Sequence, residues 1–215
     1  MRLVLASNNA KKLAELRALL AGLPLDLVAQ GTLGIAEAEE PHLTFIENAL
    51  AKARHAARAS GLAAIADDSG LCVDALGGAP GVASAVFAPL PTPLEDDREQ
   101  RRAAQDAANN ARLLEQLRGV TERRARFVSV LVALRHADDP QPLVAVGHWE
   151  AEILEAPRGS GGFGYDPLVW VPSRRASVAE LDAEVKNAMS HRARAAAQMF
   201  ALMRESWSLV PGDGH

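Results

Sequence analysis

The feature that most restricts the fold of this chain is an alternation of short apolar runs and amphipathic segments in its N-terminal third. Residues 3–6 form an apolar run typical of a buried strand, residues 10–20 carry leucines at helical spacing, and residues 25–29 predict a second strand. A helix is predicted over residues 44–57, because Thr44 and the glutamate three residues later have the spacing of a capping box. Strands and helices that alternate in this way predict an α/β fold.

The second half of the chain adds a β-hairpin to this pattern. Residues 127–134 and 143–153 predict two long strands, and the turn-rich residues 136–142 between them favour an antiparallel connection. The sheet is therefore expected to be mixed, with helices on its flanks. The other predicted elements are a strand over residues 63–66 with a glycine-rich loop over 67–81, a charged helix over 95–118, a strand over 168–171, and a last helix from its N-cap Ser190 to near Trp207.

The composition allows a sizeable core and argues against several classes of protein. Hydrophobic residues make up 48% of the 215 residues, which argues against disorder. The formal net charge of −4 does not indicate a protein that coats itself with nucleic acid. Cys72 is the only cysteine, so an intrachain disulfide cannot form. No apolar run approaches the roughly 20 residues that span a bilayer. We therefore expect a soluble, cytoplasmic protein with neither a membrane nor a nucleic acid as its partner.

The junction between the first strand and the first helix combines small polar residues with lysines. Backbone N–H groups at a helix N-terminus, together with lysine side chains, favour an anion such as a phosphate. An ordinary helix cap with two solvated lysines explains the same residues equally well. The candidate phosphate-binding residues are Ser7, Asn8, Asn9, Ala10, Lys11 and Lys12.

Two acidic pairs are candidates for metal binding. Asp67 and Asp68 follow an apolar strand, and neighbouring residues of an extended chain point to opposite sides. We therefore expect one aspartate to face a site and the other to brace the loop. Carboxylates suit Mg²⁺, which takes one or two of them together with substrate phosphates. On its own this segment fits a tight Asx turn better, and the pair Glu39–Glu40 matters only if the fold brings it opposite Asp68.

Two segments near the C-terminus favour binding of a planar, oxygen-rich ligand. Glycines flank Phe163, so that a base can approach and stack on its ring, and Asp166 can accept hydrogen bonds from ring N–H groups. A hairpin loop with buried aromatic residues is the alternative. Lys186 adds a cation, and His191 with Arg192 falls in the first turn of the last helix, where cations are unfavourable unless a ligand binds. Ordinary surface charge is the alternative there.

Together and in this order, the segments resemble the inosine triphosphate pyrophosphatase family, whose members act on noncanonical purine nucleoside triphosphates. The resemblance extends from residue 2 to about residue 204, nearly the whole chain. It is carried by residues 7–12, 44–49, 66–70, 76–81, 162–167 and 190–192.

This resemblance implies an α/β fold over residues 1–215 that is one two-lobed domain, with an elongated mixed central sheet flanked by helices, a substrate cleft between the lobes, and usually a homodimer. It implies Mg²⁺-dependent hydrolysis of ITP, dITP, XTP and dXTP to the monophosphate and pyrophosphate. Asp68 matches the general base and a metal ligand, and Glu40 the second metal-site carboxylate, with Glu39 left open. The substrate-binding residues that it implies are Ser7, Asn8, Asn9, Ala10, Lys11, Lys12, Ser69, Phe163, Gly164, Tyr165, Asp166, Lys186, His191 and Arg192.

Three positions depart from the family's pattern. Asn8 stands where the family often has glycine, Val86–Phe87 stands where an arginine–aromatic pair is common, and residues 89–109 are a longer stretch than expected. Two other functions stay open, because a fold does not specify the base that is bound. One is a pyrophosphatase for pyrimidine or other modified nucleotides, and the other is a nucleotide-binding module without catalysis.

Overall fold

The computed structural model describes residues 1–90 and 98–209. Within these residues, no helix is both long and apolar enough to cross a bilayer. The strands are β1 (Arg2–Leu5), β2 (Asp26–Ala29), β3 (Ala63–Val73), β4 (Arg124–Leu134), β5 (Leu143–Ile153), β6 (Val169–Val171) and β7 (Ala176–Ser177). The helices are α1 (Ala10–Leu19), α2 (Phe45–Ser60), α3 (Arg98–Gln116), α4 (Ala183–Met189) and α5 (His191–Ser206).

The seven described strands form one mixed sheet in the order β2-β1-β3-β4-β5-β6-β7. Strand β1 is parallel to both of its neighbours, with Leu3 opposite Leu27 of β2 and Ala63 of β3. Strand β6 is antiparallel to both of its neighbours, β5 and β7. Strands β4 and β5 are neighbours joined by a connection too short for a parallel crossover, so the predicted hairpin is confirmed. The mixed sheet with its helices confirms the predicted α/β class.

Contacts divide the chain into two compact units, each with its own apolar core. The first unit comprises Met1–Asp68, Ser129–His148 and Ser190–His215, and the second comprises Ser69–Val128 and Trp149–Met189. The fully buried large side chains of the first core are Leu3, Leu5, Leu16, Ile65, Leu131 and Met199. Those of the second core are Leu71, Leu113, Leu117, Ile153 and Leu168. A single domain over the whole chain stays a prediction.

The N-caps that the sequence predicts at Thr44 and Ser190 are present, but the predicted capping box is only half formed, because the Glu47 carboxylate binds the Thr44 hydroxyl instead of the Thr44 backbone N–H. Thr44 Oγ1 accepts a hydrogen bond from the backbone N–H of Glu47 at 3.3 Å and donates one to the Glu47 carboxylate at 2.6 Å. Ser190 Oγ accepts a hydrogen bond from the backbone N–H of Ala193 at 3.1 Å. These side chains satisfy N–H groups that have no partner inside the helix, and they set where α2 and α5 begin.

Strand β3 is longer than its apolar pattern predicts. The apolar run ends at Ala66, but the strand continues through Asp67 and Asp68 to Val73, where a glycine-rich loop was expected. Pairing within the sheet outweighs the weak strand propensity of aspartate and glycine. The elements β7 and α4 are too short to show a periodic pattern. The predicted helix start at residue 95 and the residues after 209 lie outside the described residues.

Asp139 is the buried centre of the turn between β4 and β5. Its carboxylate accepts hydrogen bonds at 3.0 Å from the backbone N–H groups of Arg135 and Gln141 and from the Arg135 guanidinium. The Asp139 side chain is fully buried. The hydrogen bonds from Arg135, followed by that from Gln141, hold the pKa of Asp139 well below its ordinary value.

Replacing Asp139 with asparagine should lower the free energy of unfolding at pH 7 by about 2 kcal/mol, because charge-assisted hydrogen bonds are lost. Urea denaturation followed by circular dichroism measures the change. The folded-state pKa is depressed, so this stabilisation is present above the unfolded-state pKa and is lost as the pH falls through the folded-state pKa. The difference between variant and wild type should therefore shrink in acid.

Asp138→Asn is the matched control for this prediction. Asp138 is the neighbouring residue, and its ion pair with Arg58, at 3.6 Å, is exposed. Exposed pairs contribute little to stability, so this variant should unfold like the wild type. Equal destabilisation by the two substitutions would show that the buried Asp139 network is not what stabilises the hairpin.

Candidate functional site

The two neighbouring aspartates of β3 have different partners. Asp67 and Asp68 are both buried, with 2% and 6% of their surface exposed. Asp67 contacts side chains of α1, β4 and α5, whereas Asp68 contacts a lysine of α2. This division follows from the alternation of side chains along a strand, as expected from the sequence.

Asp67 is the centre of a buried ionic network. Its Oδ2 lies 2.8 Å from Lys12 Nζ and 3.2 Å from Arg192 Nε, and its Oδ1 accepts a hydrogen bond from Ser129 Oγ at 2.9 Å. Arg192 also binds Glu15 of α1 at 2.7 Å. Burial alone would raise the pKa of Asp67, but the Arg192 and Lys12 cations hold that pKa far below its ordinary value. The ionised carboxylate therefore joins α1, β4 and α5 to β3.

Asp68, Lys52 and Glu40 form a second charged cluster. Lys52 Nζ lies 2.8 Å from Asp68 Oδ1 and 3.2 Å from Glu40 Oε2. Burial raises the pKa of Asp68, the Lys52 ammonium opposes this rise, and the Glu40 carboxylate adds to it. Burial would lower the pKa of Lys52, but the charges of Asp68 and Glu40 outweigh this effect and raise it. The lysine therefore stays protonated between two carboxylates.

The cluster of Asp68, Lys52 and Glu40 offers the oxygen donors that Mg²⁺ prefers. Asp68 Oδ2 is buried and accepts no hydrogen bond from any described residue. The Glu40 side chain is 46% exposed, so its carboxylate is open to a ligand. Within residues 1–90 and 98–209, no group of three or more His, Cys, Asp and Glu side chains is arranged to hold a metal. Two carboxylates fit Mg²⁺, which commonly completes its coordination with water and substrate phosphates.

The predicted phosphate-binding residues form the turn between β1 and α1 and the first turn of that helix. Ser7 Oγ accepts a hydrogen bond from the N–H of Asn9 at 3.1 Å, and Asn9 Oδ1 accepts one from the N–H of Lys12 at 3.3 Å. The turn is therefore held by its own side chains. Asn8 and Ala10 are exposed, and the side chain of Lys11 lies outside the described part of the structure.

Phe163 is the exposed aromatic residue of the glycine-rich loop in the second unit, with 44% of its surface exposed. Lys186 Nζ lies 4.6 Å and Arg102 Cζ 5.2 Å from the centre of its ring. Asp166 is buried, accepts a hydrogen bond from the N–H of Phe163 at 2.9 Å and forms an ion pair with Lys186. Burial raises the pKa of Asp166, and Lys186 opposes that rise. The loop thus presents a flat apolar ring beside a lysine.

Contacts with α3 and with the Ser84 carbonyl hold this loop in place. Asp106 accepts a hydrogen bond from the N–H of Gly164, and Asn110 donates one to the Gly164 carbonyl, both at 2.9 Å. Tyr165 is buried, and its hydroxyl donates to the Ser84 carbonyl at 2.9 Å. Gly164 and Tyr165, which the sequence assigns to substrate binding, therefore also give the loop its conformation.

His191 and Arg192 form the start of α5 in the first unit. Arg192 is buried, and its guanidinium binds Asp67 and Glu15. These carboxylates explain how a cation is stable at a helix N-terminus, where the helix dipole disfavours it. His191 is half-buried. A role of both residues in substrate binding stays a prediction, and Arg192 has in addition a bracing role.

The predicted site residues fall into two groups, one in each unit. The first unit contains the phosphate-binding residues with Glu40, Asp68, His191 and Arg192. The second unit contains Ser69, the residues from Phe163 to Asp166, and Lys186. Ser69 directly follows Asp68 on β3 and is half-buried. Of the two candidate glutamates, Glu40 is the one that contacts Lys52.

The sequence predictions missed Lys52, which is only 8% exposed and links the two candidate metal ligands. Its position in the helical pattern of α2 could have identified it. Ala49, Ala53 and Ala56 form the buried face of α2, and Lys52 lies on the same face at helical spacing. A lysine in a buried stripe requires a carboxylate partner, so its position indicates an ionic site.

The departures from the family's pattern have structural counterparts. A Cβ at Gly31 would lie 2.5 Å from Asn8 Oδ1, so the glycine leaves room for the asparagine side chain. Arg112 of α3 lies 4.7 Å from the centre of the Phe87 ring and donates to the Phe87 carbonyl. An arginine, Arg112, therefore contacts this turn, although position 86 itself is a valine and not the arginine common in the family. Residues 98–109 belong to α3, and residues 91–97 lie outside the described residues.

Comparison with known proteins identifies the family. The model of the Ham1 family matches residues 3–202. A dITP/XTP pyrophosphatase of Methylibium petroleiphilum is 68% identical over 207 residues, which cover 96% of this chain and 99% of that protein. One of Leptothrix cholodnii is 69% identical over 213 residues, which cover 98% and 100%. The solved structure of a HAM1 protein from Coxiella burnetii matches with a TM-score of 0.86 at 42% identity, covering 95% of this chain and 99% of that one. The resemblance drawn from the sequence motifs is thereby confirmed, and the chain belongs to the Ham1 family.

Proposed function

We propose that this protein hydrolyses the noncanonical purine nucleoside triphosphates ITP, dITP, XTP and dXTP to the monophosphate and pyrophosphate, which cleanses the nucleotide pool. The observation that carries the proposal is the cluster of Asp68, Lys52 and Glu40, in which Asp68 Oδ2 accepts no hydrogen bond from the described residues. The names of the two relatives at 68% and 69% identity support the choice of substrate.

In the proposed reaction, Asp68 orients a water molecule for in-line attack on phosphorus and accepts its proton, while the anhydride bond between the monophosphate and pyrophosphate groups breaks and pyrophosphate leaves. Reactions of this type depend on positioning and charge neutralisation more than on covalent catalysis. Lys52 Nζ donates to Asp68 Oδ1 at 2.8 Å, and Oδ2 accepts no hydrogen bond from the described residues. Asp68 and Glu40 would hold Mg²⁺, which would supply positive charge near the phosphate oxygens.

Lys12 is the proposed cationic partner of the triphosphate in the first unit. Its ammonium pairs with Asp67, and a triphosphate would compete with this carboxylate for it. Asp67 keeps its contacts with Arg192 and Ser129 when Lys12 turns to the phosphates, so the buried charge stays compensated. The N-terminus of α1 adds a favourable partial charge at the same place.

The purine base is proposed to stack on Phe163 and to be recognised at its position 6. Inosine and xanthosine carry a carbonyl acceptor there, whereas adenosine carries an amino donor. A donor such as His191 pairs with the carbonyl and finds no acceptor at position 6 of adenine, a mismatch that can discriminate by about 10⁴. Guanine shares the carbonyl, so its rejection requires a second feature near position 2.

The family resemblance supports three further proposals. Mg²⁺ is the proposed metal, the protein is proposed to be a cytoplasmic homodimer, and residues 1–215 are proposed to form a single two-lobed domain. Light scattering of the purified protein measures the oligomeric state directly. A monomer at micromolar concentration would contradict the dimer without affecting the proposed reaction.

Pyrophosphate release from ITP, XTP, GTP, ATP and dTTP, with Mg²⁺ and with EDTA, tests the proposed function. ITP and XTP should be cleaved far faster than the others, and only with Mg²⁺. Asp68→Asn should lose most of this activity and keep the wild-type circular dichroism spectrum. Nucleotide binding without cleavage would indicate a binding module instead, and preferred cleavage of dTTP would indicate a pyrophosphatase for pyrimidine nucleotides.

Glu40→Gln should raise the Mg²⁺ concentration needed for half-maximal ITP hydrolysis by at least about tenfold, because a metal-binding carboxylate is lost. A titration of activity with Mg²⁺ measures this change. Glu39→Gln is the matched control, since it removes the same charge from the neighbouring exposed residue and should leave the titration unchanged. An equal change of the half-maximal Mg²⁺ concentration in both variants would show that Glu40 is not a metal ligand.

Phe163→Leu should raise KM for ITP by about tenfold or more, because base–aromatic stacking contributes about 1–3 kcal/mol. The effect on kcat should be smaller, since the residue does not touch the phosphates in the proposed complex. Steady-state kinetics separate the two constants. Phe87→Leu is the control, because Phe87 also has an arginine at its ring and lies in the same unit. An unchanged KM in Phe163→Leu would contradict stacking on this ring.

A further inference from the structure

Gly147 of β5 lies directly against the backbone at the start of α5. A Cβ at this position would be 1.9 Å from the His191 carbonyl oxygen and 2.6 Å from the Ala195 nitrogen, well inside the 3.0 Å that Cβ atoms keep from other atoms. These two backbone atoms are spaced for an i to i+4 hydrogen bond of α5, the one that follows the bond from the Arg194 N–H to the Ser190 carbonyl. A methyl group at residue 147 would therefore displace main chain, which cannot move aside as a flexible side chain can.

The residues on either side of Gly147 bind the same helix. The N–H of Val146 donates to Gln198 Oε1 at 3.2 Å, and the His148 carbonyl accepts a hydrogen bond from Arg194 Nη1 at 2.8 Å. Three consecutive residues of β5 thus form a docking segment for the first two turns of α5. Gly147 is buried at its centre.

The start of α5 is also held from the side of β3 and α1. The Arg192 guanidinium binds Asp67 at 3.2 Å and Glu15 at 2.7 Å, and Ser190 caps the helix through the N–H of Ala193. His191 lies between these two sets of contacts. Its position is therefore specified by a side-chain anchor at residue 192 and by the absence of a side chain at residue 147.

We propose that Gly147 is a positioning residue for base recognition, because it allows the first turn of α5, and with it His191, to lie close to β5. This inference rests on the proposed function, in which His191 contacts the base. A methyl group must push the turn away by about 1 Å, and misplacement of this size can lower catalytic efficiency by about 10²-fold. Asp68, Lys52 and Glu40 belong to other elements, and Asp67 keeps Lys12 and Ser129 as partners if Arg192 moves with the turn, so the larger loss is expected in base recognition.

Gly147→Ala tests this inference through the ratio of kcat/KM for ITP to that for ATP. The ratio should fall by about tenfold or more, with KM for ITP rising more than kcat falls. His191→Ala should lower the same ratio. The double variant should show no further fall beyond His191→Ala alone, because two changes that act through one residue are not additive. If the ITP/ATP ratio of the double variant falls by the product of the two factors measured for the single variants, the proposal is overturned.

Gly61→Ala is the control for a purely structural effect. Gly61 ends α2 with a φ of 69°, and a Cβ there meets no atom within 4 Å, so alanine strains the helix end without touching α5. Gly61→Ala should lower Tm and keep the wild-type ITP/ATP ratio. If Gly147→Ala likewise lowers Tm and leaves the ratio unchanged, its role is structural and the proposal is overturned.

A second variant covers the case in which Gly147→Ala does not fold. Replacing both Arg194 and Gln198 with alanine loosens the docking of α5 on β5 from the helix side and keeps the glycine. The ITP/ATP ratio should again fall, and a wild-type ratio would overturn the proposal. A wild-type protein without a preference for ITP would overturn the proposed function and this inference together. A preference for ITP that survives in every docking variant would overturn this inference alone.

Discussion

The arrangement of the first unit depends on how one buried carboxylate is neutralised. Asp67 lies inside the protein, where an isolated charge is strongly unfavourable. Lys12, Ser129 and Arg192 supply its partners from α1, β4 and α5, which are far apart in sequence. The need to compensate a single charge therefore brings three elements to β3 and places the start of α5, with His191, beside them.

Side-chain alternation along β3 turns this constraint into a candidate site. Because Asp67 faces the ionic network, Asp68 faces the other side of the strand and meets Lys52. Neutralisation is incomplete there, since one ammonium serves two carboxylates and Asp68 Oδ2 accepts no hydrogen bond from the described residues. A fully compensated carboxylate stabilises the fold, whereas one left short of partners can bind a cation and a substrate. Of these two adjacent residues, Asp67 therefore stabilises the fold, and Asp68 is suited to bind a ligand.

Much of the fold, and the segments that carry the candidate site, could be predicted from local patterns. The caps at Thr44 and Ser190 follow from hydrogen bonds within one helical turn, and the hairpin from two β-type runs around a turn. The extent of β3 could not be predicted, because sheet pairing outweighs the propensity of its aspartates and glycine. Lys52 was missed because lysines are mostly exposed, although its place on the buried face of α2 was visible.

Local periodicity and side-chain chemistry are enough to specify the order of strands and helices and the residues that carry charge. Which charges meet depends on the folded chain. Arg192 could equally have been a solvated residue at a helix start, and Glu39 could have taken the place of Glu40 beside Lys52. The close approach of Gly147 to α5 likewise joins residues that no local pattern relates. Such pairings depend on burial and on distances between residues remote in sequence, and both quantities exist only once the chain has packed.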